Sequence, residues 1–177
     1  WKGQEGRIAA FPTRVFQKLR GPATETLSQT VLKTEQTNTS IMYGDRLILK
    51  LLRRIEGGTS PELEVGRFLT EKASFPNAPP VAGALEYHSR FIPEPVTIGI
   101  LHGYIPNEGD AWQYTLDELG FFFDRVLAYP EVESPPLMKG SLLDIIEMSI
   151  PESAEETIGP YLTSAQRLAQ RTAELHL

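Results

Sequence analysis

Lys50 is the first singular residue of this chain. It stands inside Leu47-Ile48-Leu49-Lys50-Leu51-Leu52, a run otherwise suited to a buried strand. An ammonium there must reach a phosphate, a carboxylate or solvent at a sheet edge, because an unpaired buried charge is expensive. The plain reading is an edge or snorkelling lysine. Glu62 and Glu64 sit in the first turn of the next expected helix and are the candidate partners. Glu64, nearer the body of that helix, is preferred over Glu62. Either could equally be a solvated first-turn acid facing the helix dipole. Gln36-Thr37-Asn38-Thr39-Ser40 is a polar stretch whose hydroxyls and amides could contact phosphate oxygens. Its bland alternative is a polar hairpin turn. Asn38-Thr39-Ser40 also matches a glycosylation acceptor, discounted in a chain with no secretory signal. His102-Gly103-Tyr104 closes the last expected strand, either offering backbone groups to a ligand or simply ending it.

Other chemistry is sparse. With no Cys, disulfides, thiol nucleophiles and Cys-ligated metals are excluded, which fits a reducing compartment and makes the cytoplasm the expected location. His88, His102 and His176 have no metal-ligand spacing. There is no Gly-x-Ser-x-Gly elbow, no Walker loop and no Gly-x-Gly-x-x-Gly. Glu108 and Asp110 read as a helix-entry signal. The 17 Lys and Arg against 23 Asp and Glu give a net charge of −6, which argues against nucleic-acid and anionic-membrane partners. No apolar run approaches the ~20 residues of a membrane-spanning helix. At 177 residues, 41% hydrophobic and 23% charged, the composition is that of a globular domain able to fold on apolar packing alone. The start, Trp1-Lys2-Gly3, has neither an initiator Met nor a signal-peptide core and reads as a piece of a longer chain.

The elements that must position these residues follow from pattern. The first ~25 residues could form a short strand or helix before the Gly21-Pro22 break. Three strands are expected at 30–35, 40–43 and 46–52, as a meander with a tight Gly44-Asp45 turn. Ser60-Pro61-Glu62 starts a helix with a capping Ser and Pro at its first position. It runs to about Lys72, with Leu63, Phe68 and Leu69 on its apolar face and Gly66 lowering its propensity. Strands at 81–88 and 96–105 follow. Helices are expected at 111–127 and 141–148, with a last one capped by Thr163. Strands ahead of helices argue an α+β fold. The expected division is a five-stranded antiparallel unit with one helix over 1–105, and a helical unit over 106–177.

Strand Lys, loop, then helix acid is the order by which protein-kinase-like folds hold a nucleotide. Glu35-Gln36-Thr37-Asn38-Thr39-Ser40, Tyr43-Gly44-Asp45-Arg46-Leu47-Ile48-Leu49-Lys50, Leu63-Glu64-Val65-Gly66-Arg67-Phe68-Leu69-Thr70, Pro106-Asn107-Glu108-Gly109-Asp110-Ala111-Trp112 and Arg171-Thr172-Ala173-Glu174-Leu175-His176 together resemble maltokinase. That domain is often fused to the C-terminus of trehalose synthase. The resemblance covers most of residues 28–177. It implies a kinase-like N-lobe followed by the first helices of a truncated C-lobe, and a parent enzyme that uses ATP and Mg²⁺ to convert maltose to maltose 1-phosphate. By the same resemblance, Lys50 binds nucleotide phosphates and Glu64 fixes it. Residues 36–40 cover the phosphates, and His102, Gly103 and Tyr104 form the adenine-reading hinge. The base-bearing catalytic loop and the metal-binding Asp are expected beyond Leu177, with most of the sugar site. The isolated chain is then expected to be inactive and prone to self-association. Two alternatives stand beside this. One is a non-catalytic docking or regulatory module with a vestigial nucleotide site. The other describes the whole protein as a trehalose synthase, although the chain has none of the repeated strand–helix units of a glycosidase-type barrel.

Overall fold

The computed structural model describes residues 3, 5–32, 38–128, 140–146 and 148–176. It forms two compact units, Trp1–Pro106 and Asn107–Leu177. The α+β class is as the sequence implies: one antiparallel sheet with little helix, then helices alone.

The first unit holds β1 (Gly6–Pro12), α1 (Phe16–Arg20), β2 (Gln29–Leu32), β3 (Asn38–Tyr43), β4 (Leu47–Leu52), α2 (Pro61–Phe68), β5 (Val81–Ser89) and β6 (Val96–Gly103). The sheet has six strands rather than five, in the order β1-β5-β6-β4-β3-β2. The mixed N-terminal stretch supplies both a strand and a helix, and β1 takes the free edge of β5. β2, β3 and β4 form the expected meander. Gly44 turns the hairpin with φ of 59°, a left-handed conformation that glycine adopts without the Cβ penalty. β4 and β5 each pair antiparallel with β6, so they run parallel to each other with β6 between them. The chain therefore crosses from β4 through α2 to β5 and returns to fill the gap.

That crossover sets α2 on one face of the sheet. Leu63, 1% exposed, packs with Val81, Ala84 and Ile100 as the core of the unit. Gly66, one turn later, has a structural purpose that helix propensity conceals. A Cβ there would lie 2.6 Å from Val81 Cγ2, so its absence lets helix and sheet touch. Ser60 does not cap the helix through its side chain. Its amide instead donates to Thr97 Oγ1 at 3.0 Å, tying the start of α2 to β6. Beyond Phe68 the helix widens into a π-helical turn, Leu69–Ala73, ended by Ser74 at φ of 51°.

The second unit holds α3 (Ala111–Ala128), α4 (Leu142–Ile146) and α5 (Glu152–His176). Asp110 Oδ1 accepts the Gln113 amide at 2.7 Å, so this acid is the helix-entry residue its position suggests. α4 opens with a reciprocal cap between Ser141 and Asp144. Hydrogen bonds from Ser141 hold the Asp144 carboxyl below its usual range. α5 starts well before Thr163, whose hydroxyl donates to the Gly159 carbonyl as helix-interior threonines do, and so is no cap. Within α5, Pro160 lacks the N–H that would serve the Glu156 carbonyl, and Ile158 leaves helical geometry. Arg125 of α3 replaces the lost donor, reaching the Glu156 and Thr157 carbonyls at 2.6 and 3.2 Å. Tyr114 and Tyr161 stack between the same two helices with centroids 6.2 Å apart. No helix among the described residues is long and apolar enough to cross a membrane.

Candidate functional site

Ser40, Lys50 and Ile100 are consecutive cross-strand partners on β3, β4 and β6. Directly opposed residues share a face, and His102 lies two residues beyond Ile100, so its side chain points the same way. This is the face on which α2 packs. Lys50 therefore emerges from an apolar strand beside the helix start.

Lys50 Nζ lies 3.2 Å from Glu62 Oε1. The pair forms as expected between strand and helix, but through Glu62 instead of Glu64. Helix geometry explains the choice. Residues advance about 100° each around a helix, so with Leu63 pointing into the core, Glu62 and Glu64 fall on opposite flanks. The Ser60–Thr97 tether turns the flank of Glu62 toward β6 and β4. The two side chains are 32% and 41% exposed. An ion pair so well hydrated contributes at most about 1 kcal/mol to stability.

Glu62 Oε1 has a second neighbour, His102 Nε2 at 3.4 Å. The imidazole is buried, and neither ring nitrogen makes a well-directed hydrogen bond. Burial pushes its pKa below the ordinary 6.5, against the pull of Glu62 and the Pro79 carbonyl and with the help of Lys50. That shift favours the neutral ring at pH 7.

The remaining sequence-derived residues are placed differently. Asn38, Thr39 and Ser40 belong to β3 and not to a loop, because Thr39-Ser40-Ile41 pairs in register with Leu51-Lys50-Leu49. Ser40 is wholly buried and its hydroxyl has no hydrogen-bond partner among the described residues. The Asn38 carbonyl accepts from Arg53. Gln36 and Thr37 lie outside the described residues. Gly103 and Tyr104 donate their amides to the Pro80 and Arg46 carbonyls, both at 2.8 Å. Those two N–H groups are engaged within the first unit and do not face a ligand's edge. Glu64 is exposed on α2. The side chain of His102, expected to act only through its backbone, joins the Lys50 cluster. Strand parity was the available signal, since residues 96, 98, 100 and 102 share a face.

On the opposite face of the sheet is an open, mainly apolar cavity of about 650 Å³, lined by Phe11, Phe16, Leu27, Leu47, Leu49 and Leu101 among others. The odd-numbered residues of β4 point there, away from Lys50. Among the described residues no group of three or more His, Asp or Glu could hold a metal ion.

No protein-family model matches this chain. Among solved structures it is similar to glucosamine kinase in complex with glucosamine, ADP and inorganic phosphate, and to glucosamine kinase in its crystal form B. For each the TM-score is 0.44 and the identity 18%. The match covers 71% of this chain and 26% of either kinase, so the chain spans about a quarter of their length.

Proposed function

We propose that this chain is the nucleotide-binding part of a maltokinase, an enzyme that transfers a phosphoryl group from ATP to maltose to give maltose 1-phosphate. The observation that carries the reading is the Lys50–Glu62 pair, which joins a central strand to α2, the helix that crosses over from β4 to β5. Stability does not explain it. A leucine at position 50 would bury more apolar surface, and the hydrated pair offers little in exchange. A lysine held there by one carboxylate, with a third of its side chain still open, suits an incoming phosphate. Lys50 would bind the α- and β-phosphates, and Glu62 would fix its position. ATP, when bound, supplies the phosphoryl group. The described residues hold no group of three or more metal-ligating side chains, and the maltokinase reading assigns the metal ligands and the catalytic base to segments downstream. Fusion to a trehalose synthase domain and a cytoplasmic location belong to the same reading.

The test is formation of maltose 1-phosphate by the protein that carries this chain, with maltose, glucose and glucosamine offered in parallel. Lys50→Ala should lower turnover by roughly 10²-fold or more, the usual cost of removing a preorganised charge at a transferring group. Undiminished turnover would remove Lys50 from the site, and a preference for glucosamine would replace the sugar.

A docking or regulatory module is the second reading. It is favoured by the engaged amides of Gly103 and Tyr104, which leave two expected adenine contacts unmade. Absence of ATP binding in the complete protein would select it.

A further inference from the structure

A single carboxylate oxygen in the site serves two partners. Glu62 Oε1 lies 3.2 Å from Lys50 Nζ and 3.4 Å from His102 Nε2. The three side chains differ in freedom: those of Glu62 and Lys50 are 41% and 32% exposed, while that of His102 is 10% exposed on a strand paired on both sides. A long exposed glutamate spreads over several rotamers unless a more rigid group restrains it. The rigid member is His102. Its neighbours define its state. The charged groups acting on the ring are Glu62 from α2 and Lys50 from β4, while β5 contributes the apolar Val81 and the preceding loop the Pro79 carbonyl. With the cation of Lys50 already on Oε1, a neutral ring carrying its proton on Nε2 adds a donor without adding a second positive charge.

We propose that His102 is a positioning residue, whose imidazole Nε2, 3.4 Å from Glu62 Oε1 though not aligned for a full hydrogen bond, restrains the carboxylate that sets the Lys50 ammonium for a nucleotide's phosphates. The proposal rests on the nucleotide reading above for its last step and on geometry alone for the rest. Protonation of the ring reverses the arrangement. An imidazolium competes with Lys50 for the same oxygen and repels the ammonium, so Lys50 loses its fixed position as the pH falls.

Two measurements on the full chain test this. The first follows the side-chain carboxyl resonance of Glu62 and the ring resonances of His102 by NMR through a pH titration. Glu62 should show two inflections, its own and one coincident with His102, and His102→Gln should abolish the second. The second measurement is calorimetric titration with ATP above and below the ordinary imidazole value of 6.5. His102→Leu should weaken ATP binding about tenfold, the scale of one charge-assisted hydrogen bond. His102→Gln, which keeps an N–H donor but cannot titrate, should restore affinity to within about threefold by the same scale and remove the extra weakening at low pH. A Glu62 resonance that ignores the titration of His102, or persistence of the second inflection in His102→Gln, overturns the proposal, and the Gln variant decides the matter if His102→Leu does not fold. Wild-type ATP affinity retained in a folded His102→Leu variant overturns it as well. If the wild-type chain does not bind ATP, the nucleotide reading fails by itself, and the Glu62 titration alone decides whether His102 positions the carboxylate.

Discussion

Lys50 and His102 are both residues whose presence costs the fold something. Removing the charge should therefore leave the chain as stable or more stable: Lys50→Leu is expected to hold or raise the thermal midpoint while abolishing ATP binding. Glu62 is hydrated enough to stand alone once its partner is gone. A clear drop in midpoint would mean that the ion pair is structural. His102 makes a prediction with a definite sign. Burial gives the folded state a lower imidazole pKa than the unfolded chain, so the unfolded state binds more protons just below the ordinary value. Stability then falls as pH drops through 6.5 and continues to fall until the folded-state value is reached. Urea unfolding across this window should show the slope in the wild type and a flatter profile in His102→Gln.

At the scale of elements, Gly66 fixes how closely α2 lies on β5. Alanine there gains up to about 1 kcal/mol of helix propensity. Its Cβ, however, would lie 2.6 Å from a methyl of the fully buried Val81, and overpacking of that kind costs about 1–3 kcal/mol. Gly66→Ala should thus destabilise by denaturant unfolding and weaken ATP binding by shifting Glu62, and Val81→Ala in the same chain should recover part of both. Recovery of neither would mean that α2 is placed by other contacts. The element boundaries were largely legible in the sequence, because Gly44-Asp45, Pro61 and the Pro-rich connections punctuate strong apolar runs. The site was legible only in part. The oddity of Lys50 could be read from its neighbours alone, but choosing Glu62 over Glu64 required knowing which flank of α2 faces the sheet. That depends on the Ser60–Thr97 tether, a contact between distant residues. Thr163 misled because the break in α5 comes from Pro160, and the donor that repairs it, Arg125, lies on another helix.

For the molecule as a whole, the helical unit presents much apolar surface. On α3, Trp112 is 71% exposed, Phe121 67% and Phe123 53%. Surface of this kind drives association, and light scattering should show the apparent mass of the isolated chain rising with concentration. A constant monomer mass would contradict it. The same isolated chain is expected to bind ATP weakly and to form no measurable maltose 1-phosphate. Phosphoryl transfer needs a held metal and a positioned base as well as a lysine. Turnover matching a complete kinase would place those groups within residues 1–177.

The insertion of β6 between β4 and β5 bears on how the chain is made. A ribosome releases β4 and α2 before β6 exists, so one edge of Leu47–Leu52 waits unpaired until residues near 103 emerge. A long apolar strand edge left open is a template for aggregation. Lys50 sits in the middle of that edge, where a charge interrupts an otherwise continuous apolar segment, the usual protection for such strands. On this argument Lys50 is expected to protect the chain during synthesis as well. The Lys50→Leu chain, stable once folded, should be recovered in lower yield on refolding as concentration rises, and a lysine returned at Leu51, on the opposite face, should restore the yield without restoring ATP binding.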